Sequence, residues 1–241
     1  YTFKNAITFC IYVSNFKYNY DNIIKLKNDI VKQMHTGVNQ LMQHHHIDIY
    51  NGTGRILGTS IFSPQICKIW VDYDDGVSYL IYFYFFFFFI GCTPKSLPFI
   101  EFDHERILSS DDILSIESLP EHLAIIGGGV IGLEFASLMN DLGTSVTVIE
   151  ANDRILPTES TQIASSLKKE LSHRGVTFYE NIQLDENSIK KDDDSVKIYF
   201  ENNAIKVDKV LISVGRTPNT QDIVLNNPKI KSNKEGLIIS N

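Results

Sequence analysis

The sequence has few features of a disulfide-stapled, membrane-spanning or nucleic-acid-binding protein. Its three cysteines, Cys10, Cys67 and Cys92, lie far apart, so neither a disulfide framework nor a zinc site is indicated. Basic residues are the minority, and the formal net charge of −7 argues against a nucleic-acid or anionic-membrane surface. The most apolar run, residues 79–90, has 12 residues. A transmembrane helix needs about 18 or more.

The given residues also show no pattern of a targeting segment. The chain begins at Tyr1 and has no basic segment followed by an apolar stretch and a small-residue cleavage site, so no signal peptide is visible. We expect a cytoplasmic protein, and we interpret the missing initiator methionine as a sign of an internal fragment or of a truncated reading frame. The composition, 43% hydrophobic and 21% charged, is typical of a globular chain, and 241 residues suit one large or two small domains.

One stretch, residues 123–150, organises the chain. An apolar strand leads into the G-x-G-x-x-G pattern of Gly127, Gly129 and Gly132, and a helix and a second apolar strand follow. In a dinucleotide-binding turn the first glycine permits the tight turn, the second lets backbone N–H groups approach a pyrophosphate, and the third lets the helix pack closely. The helix N-terminus adds free N–H donors and a positive dipole end. A glycine triplet alone also occurs in ordinary loops, but the ordered strand, turn, helix and strand favour a dinucleotide site.

The second strand ends in an acid, Glu150, which lies 18 residues after Gly132. At this position an acid accepts hydrogen bonds from the adenosine ribose. Because a carboxylate repels a 2′-phosphate, Glu150 favours NAD over NADP.

The N-terminal part contains a predicted helix and several short strands. Asp21 or Asn22 is the expected N-cap. Apolar residues at helical spacing predict one buried face; they are Ile23, Leu26, Ile30, Met34, Val38 and Leu41. Residues 44–46 are three histidines, which point to three sides of a helix and are expected to be solvated rather than to share a metal. Strands are predicted at 8–13, 47–50 and 55–57.

Residues 66–73 and 77–90 predict a hairpin across Asp74, Asp75 and Gly76. Its second arm carries five consecutive phenylalanines, which are hard to pack on both faces of a strand. A buried strand and a disrupted or mistranslated stretch both remain open for this run.

The C-terminal part continues the pattern of an α/β protein. Residues 98–120 are interpreted as a polar connection, and Gly143 as the end of the helix after the glycine turn. A helix at 159–173, with Ile163, Leu167 and Leu171 on one face, a strand at 176–179 and a hairpin of 196–200 with 204–207 follow. A last strand, 207–214, ends in a polar turn at 215–219, where open α/β sheets place ligands. The acidic run 192–194 is expected to be a solvated turn.

Several of these segments together resemble the flavoprotein pyridine nucleotide-disulfide oxidoreductases. They are residues 127–134, Glu150 and residues 214–219. Residues 97–110 and 33–54 resemble, within that family, the bacterial branch that oxidises dihydrolipoamide and reduces NAD in 2-oxo acid dehydrogenase complexes. The resemblance implies a Rossmann-like NAD-binding domain at 96–241, with a parallel sheet and a β-hairpin layer. It also implies an incomplete, disrupted portion of a FAD-binding domain at 1–95.

The resemblance also implies roles for individual residues. NAD would lie on the glycine turn, formed by Gly127, Gly128, Gly129, Val130, Ile131 and Gly132. Glu150 would contact the adenosine ribose, Glu134 the nicotinamide end and Leu184 the adenine, while Gly215 would line the NAD cleft. Gly54 resembles a backbone contact to FAD, and Gly91 is the one residue that remains of the family's A-T-G turn.

Other family features are missing from these 241 residues. There is no C-x-x-x-x-C pair and no second G-x-G-x-x-G for FAD, and the family's Gly-Asp motif and its C-terminal dimerisation region with a catalytic histidine and glutamate are also missing. We therefore expect an incomplete FAD site, an intact NAD site and a chain that is inactive alone. Implied partners are NAD, lipoyl domains and a second subunit, with neither nucleic acid nor membrane. A non-catalytic NAD-binding module remains open, as does part of a family member that reduces peroxide or coenzyme A disulfide.

Overall fold

The computed structural model describes residues 19–57, 67–83, 85, 87, 89–201, 203–220 and 231–239. The α-helices in these ranges are α1 (Tyr20–His44), α2 (Val130–Asp141) and α3 (Thr161–His173), and a short 3-10 helix lies at Asp112–Ser115. The strands are β1 (Thr53–Leu57), β2 (Cys67–Asp72), β3 (Ser78–Phe83), β4 (Cys92–Pro94), β5 (Ile107–Leu108), β6 (His122–Ile126), β7 (Ser145–Ile149), β8 (Thr177–Tyr179), β9 (Ile189–Lys191), β10 (Val196–Phe200), β11 (Asn203–Val207), β12 (Lys209–Ile212) and β13 (Arg216–Pro218).

Contacts divide the chain into two units. Of the described residues, 19–28 and 94–215 form the first, and 29–93 with 216–220 and 231–239 form the second. The predicted domain division, 1–95 and 96–241, stays a prediction about which parts fold independently. No helix within the described ranges is long and apolar enough to cross a membrane.

A five-stranded parallel sheet organises the first unit, in the order β5-β12-β6-β7-β8. Helix α2 connects β6 to β7, and α3 connects β7 to β8, so the chain builds outward on one side of β6. Strand β12 then pairs on the other side of β6. The strand order therefore reverses between β6 and β12, which is where open α/β sheets bind ligands.

Both faces of the central strand β6 are buried. Leu123 and Ile125 pack into a core with α2 and α3, while Ala124 and Ile126 pack into a second core on the opposite face. Burial on both faces explains why β6 is apolar without alternation, as is typical of parallel sheets. The second core also contains the inner residues of the antiparallel meander β11-β10-β9. The predicted α/β fold with a parallel sheet and a hairpin layer is confirmed, and β9 extends the hairpin to three strands.

The predicted polar connection at 98–120 is wrong in part, because it contains the buried edge strand β5. The loop that leads into β5 is organised by Asp103, whose Oδ1 accepts hydrogen bonds from the N–H groups of Ile107 (2.7 Å), Arg106 (2.8 Å) and Glu105 (3.0 Å). Lys191 Nζ lies 3.0 Å from Asp103 Oδ2. Burial by itself raises the pKa of Asp103, but these hydrogen bonds outweigh it and lower the pKa to about 2.

Smaller boundaries also differ from the prediction. Helix α3 starts after Ser160, whose hydroxyl accepts from Ile163 N, and not at 159. Leu171 is buried, but Ile163 is exposed, so only part of the predicted α3 face is covered. The predicted strand 207–214 is too long: β11 ends at Val207, Asp208 lies between the two strands, and β12 covers Lys209–Ile212.

Helix α1, whose residues 20–28 belong to the first unit and 29–44 to the second, and the hairpin of β2 and β3 in the second unit are confirmed. The cap of α1 is corrected: the side chain of Asn19, not of Asp21 or Asn22, caps the helix, accepting the Asn22 N–H at 3.0 Å. The prediction that α1 buries its apolar face is wrong, since no residue of α1 is buried. Helical spacing indicates which side chains share a face, and only packing elsewhere in the protein decides whether that face is covered.

The strands next to α1 also differ from the prediction. Residues 47–50 form no strand, because no described segment pairs with them, while the predicted strand at 55–57 is part of β1, which pairs with β2. The predicted strand 8–13 lies outside the described residues.

The second arm of the hairpin ends at Phe83, so the predicted extent to residue 90 is too long. Among the described side chains of the run, Phe85, Phe87 and Phe89 are 90%, 85% and 92% exposed. These three positions do not form the buried strand that was one of the open interpretations. Residues 84, 86 and 88 lie outside the described residues.

Candidate functional site

A cavity of about 580 Å³ lies in the first unit, at the carboxyl ends of β6, β7 and β12. Its walls are those strand ends, the first turn of α2, and parts of the loops that follow β7 and β8. The cavity therefore occupies the point where the strand order reverses, and its volume is in the usual range for small-molecule sites, roughly 300–1,000 Å³.

Gly127 and Gly132 are required by the fold itself. Gly127 has φ +108°, and a Cβ there would collide with the carbonyl oxygen of Ser213. A Cβ on Gly132 would collide with the carbonyl oxygen of Gly127 and lie 3.2 Å from Ile125 Cγ2. These two glycines thus permit the tight turn and the close approach of α2 to β6.

Gly129 has a different environment. Its φ of −78° and ψ of −179° are extended backbone that any residue adopts, and no atom lies within 4 Å of a Cβ built on it. The protein's own packing therefore does not require glycine at position 129. The open space faces the cavity at the start of α2, where unpaired N–H groups favour an anion.

Gly128 fits between two side chains. A Cβ there would lie 2.9 Å from Ile155 Cγ2 and 3.1 Å from Glu150 Oε2. The Gly128 N–H donates to Glu150 Oε2 at 2.5 Å, which connects the glycine turn to the end of β7. The sequence predicts that Gly128 lies in the turn but does not predict its contact with Glu150. The run of three glycines at 127–129 is the only sign in the sequence that the turn has little room for side chains.

Glu150 is 5% exposed and lines the cavity. In addition to the Gly128 N–H, its carboxylate accepts the backbone N–H of Asn152 at 2.8 Å and the Asn152 side-chain amide at 2.6 Å, both at Oε1. Among the described residues that line the cavity, Glu150 is the single ionisable side chain. No lysine, arginine or histidine of that lining is available to neutralise a 2′-phosphate.

The other predicted residues separate into three groups. Val130, Ile131, Leu184 and Gly215 line the same cavity. Glu134 is exposed on α2 and does not line it, so its role toward nicotinamide stays a prediction. Gly54, in β1, and Gly91, with φ +64°, belong to the second unit, and their roles toward FAD also stay predictions.

The sequence predicts a loop at residues 151–157 but gives it no role in the site, whereas Leu156 and Pro157 of this loop line the cavity. Leu156 has φ +47°, a conformation that bulky residues rarely adopt. Arg154 holds the loop by donating to the carbonyl oxygens of Leu156 (3.1 Å), Glu159 (3.0 Å) and Pro157 (2.8 Å). No periodic pattern marks these residues, because their contacts are made within an irregular loop.

Comparison with known proteins identifies the class. The family model described as pyridine nucleotide-disulphide oxidoreductase matches residues 10–241. The chain belongs to this family, whose members use FAD and a pyridine nucleotide.

Particular relatives narrow the similarity further. The chain is 36% identical over 245 residues to a dihydrolipoyl dehydrogenase of Bacillus subtilis, with 100% of this chain and 52% of the relative covered. It is 31% identical over 237 residues to the dihydrolipoyl dehydrogenase of Chlamydia trachomatis, with 98% and 49% covered. The chain thus spans about half the length of the curated relatives it matches.

Solved structures give the same class. The HOCl-induced flavoprotein disulfide reductase RclA of Escherichia coli superposes with a TM-score of 0.78 at 26% identity, covering 93% of this chain and 49% of that one. LpdA of Mycobacterium tuberculosis superposes with a TM-score of 0.81 at 22% identity over 92% of this chain and 48% of that one, a likeness of fold.

Proposed function

We propose that the first unit binds NAD(H) as the pyridine-nucleotide site of a FAD-dependent dihydrolipoyl dehydrogenase. One observation carries the proposal: the cavity at the strand-order reversal combines an open backbone at Gly129 with a buried acid, Glu150, as its ionisable side chain. An open glycine before a helix suits a pyrophosphate, and an acid at the end of the next strand suits a ribose.

The residues of the cavity fit the pyrophosphate, the adenosine ribose and the adenine of NAD. The backbone at Gly129 and the start of α2 would hold the pyrophosphate with N–H groups and the helix dipole, which suits a cavity without a lining cation. Glu150 would accept from the ribose, and Leu184 would cover the adenine. Glu134 would serve the nicotinamide end. When bound, NAD supplies a hydride acceptor, and the chain's own contribution is binding and orientation.

The assignment to lipoamide chemistry rests on the names of the relatives. Curated relatives at 36% and 31% identity are dihydrolipoyl dehydrogenases, which favours this activity over reduction of peroxide or coenzyme A disulfide. FAD near Gly54 and Gly91, lipoyl domains and a second subunit as partners, and a cytoplasmic location belong to the same proposal.

The isolated 241-residue chain is expected to give no lipoamide turnover. Dithiol oxidation in this proposal needs two neighbouring cysteines, and Cys10, Cys67 and Cys92 offer no C-x-x-x-x-C pair. The measurement is NADH formation from dihydrolipoamide and NAD with the chain alone, where detectable turnover contradicts the expectation. By itself the chain then acts as a non-catalytic NAD-binding module.

The direct test is titration of the chain with NADH and with NADPH, followed by the fluorescence of the reduced nicotinamide. We expect saturable binding of NADH and weaker binding of NADPH, because Glu150 repels a 2′-phosphate. Circular dichroism of the same sample reports whether the chain is folded. A folded chain that does not bind NADH, or that binds both nucleotides equally, overturns the proposal.

A further inference from the structure

We propose that Asn152 is a positioning residue that holds Glu150 in the orientation needed to accept a hydrogen bond from the adenosine ribose. This inference rests on the proposed NAD site. Asn152 belongs neither to the glycine pattern nor to the acid position of the dinucleotide motif. The inference gives it the orientation of Glu150, and it gives the ribose contact to one oxygen of the Glu150 carboxylate.

The contacts of Glu150 are divided unequally between its two oxygens. Oε1 accepts both the backbone N–H of Asn152 (2.8 Å) and its side-chain amide (2.6 Å). Oε2 accepts the Gly128 N–H (2.5 Å). Since a carboxylate has about four acceptor positions, two on each oxygen, Oε1 is filled and Oε2 retains one. The remaining position on Oε2 is the one available to a ribose hydroxyl.

The backbone of Asn152 also makes a hydrogen bond to a second loop. Its backbone carbonyl oxygen accepts the Asn181 N–H at 2.9 Å, in the loop that follows β8. The backbone of Asn152, from which the side-chain amide projects, is therefore held by a neighbouring loop as well as by the carboxylate. Of the three N–H groups on Glu150, the Asn152 amide is also the one that a substitution can remove without altering the backbone.

Two substitutions test the role. Asn152→Ala leaves one position on Oε1 empty, so the carboxylate loses one of the three hydrogen bonds that orient it. Asn152→Asp replaces the donor by a carboxylate of the same shape, and like charges within hydrogen-bonding distance repel. Both variants are expected to weaken NADH binding, by roughly 10-fold for Asn152→Asp, because the ribose loses its hydrogen bond to the displaced carboxylate. Asn187→Asp, on the exposed turn before β9, makes the same charge change away from the cavity and is the control.

The discriminating measurement uses two ligands, NADH and its analogue that lacks the adenosine 2′-hydroxyl, with thermal unfolding of each variant. If Asn152 acts through Glu150 on the ribose, Asn152→Asp weakens NADH binding about 10-fold and changes binding of the 2′-deoxy analogue less than twofold. Equal weakening of both ligands overturns the inference, since it indicates a general effect on the cavity. Wild-type NADH affinity in Asn152→Asp also overturns the inference.

Failure of the proposed function gives a different result. A wild-type chain that does not bind NADH overturns both proposals. A wild-type chain that binds NADH and the 2′-deoxy analogue equally removes the ribose role of Glu150, and with it the role of Asn152, but leaves the NAD site. When the wild-type chain prefers NADH to the analogue, the Asn152 variants alone decide the inference.

Discussion

The paired substitutions Gly129→Ala and Gly132→Ala distinguish an effect on ligand binding from an effect on folding. Both add one Cβ to the same turn. At position 129 the new atom meets nothing within 4 Å, whereas at position 132 it overlaps the carbonyl oxygen of Gly127. The first change should therefore affect what enters the cavity, and the second should affect the packing of α2 on β6.

The expected energies differ accordingly. For Gly129→Ala, the loss of unfolded-state freedom stabilises by about 0.4–1 kcal/mol. Alanine is a poorer N-cap by about 1 kcal/mol, so the free energy of unfolding stays within about 1 kcal/mol of the wild type. For Gly132→Ala, overpacking in a close contact costs about 3 kcal/mol. A phosphate kept away from the backbone loses a charge-assisted hydrogen bond of about 1.5–3 kcal/mol, which raises the Kd for NADH roughly 10- to 100-fold.

Urea unfolding of both variants and NADH titration of Gly129→Ala check these values. The expected pattern is a stable Gly129→Ala chain with weak NADH binding and a clearly destabilised Gly132→Ala chain. Wild-type affinity in Gly129→Ala would refute the reasoning, because it would mean that no phosphate approaches this backbone. Marked destabilisation of Gly129→Ala would refute the claim that the space there is open.

Three further substitutions follow from the same contacts. Glu150→Arg should weaken NADH binding and reduce the preference for NADH over NADPH; an unchanged ratio of the two Kd values counts against the assigned role. Asp103→Asn should lower the free energy of unfolding at neutral pH by about 1 kcal/mol, allowing for solvent screening. Folding lowers the pKa of Asp103 to about 2, so this stabilisation is present above pH ~4 and is lost as the pH falls toward 2. Urea unfolding should therefore show the free energies of unfolding of Asp103→Asn and the wild type converging as the pH approaches 2. The control is Asp194→Asn at an exposed position, for which we expect no such difference from the wild type. Arg154→Ala should release the loop that holds Leu156 and raise the Kd for NADH several-fold in the same titration, and unchanged binding would show that the loop keeps its shape without the guanidinium.

Much of the site was predictable because its signals are local. Gly127 and Gly132 are spaced along one strand-turn-helix segment, and the steric demands of that segment require glycine at both positions whatever else the protein does. Glu150 follows from the next apolar strand in the same way. Leu184 and Gly215 were predicted as site residues from the family resemblance, and both line the cavity.

Other features were not predictable from the pattern of the chain. The edge strand β5 is two residues long and lies in a polar context, so neither length nor alternation marks it. The apolar face of α1 was recognised correctly as a face, but its exposure depends on what packs against it. Asn152 is an ordinary polar loop residue in the sequence, and its contact with Glu150 becomes visible only with atomic positions.

The sequence by itself determined the glycine turn, the α/β class and the acid at the end of β7, because turn geometry and helix or strand periodicity act over a few neighbouring residues. Only the tertiary structure decided that β12 pairs beside β6, that the resulting reversal opens the cavity, and that Gly128 and Asn152 both donate to one buried carboxylate. The reason is physical: strand pairing and the Gly128–Glu150 contact join segments more than 20 residues apart, and such contacts depend on how the whole unit packs. The Asn152 contact spans two residues, but it depends on the irregular shape of the loop after β7, which no periodic pattern marks.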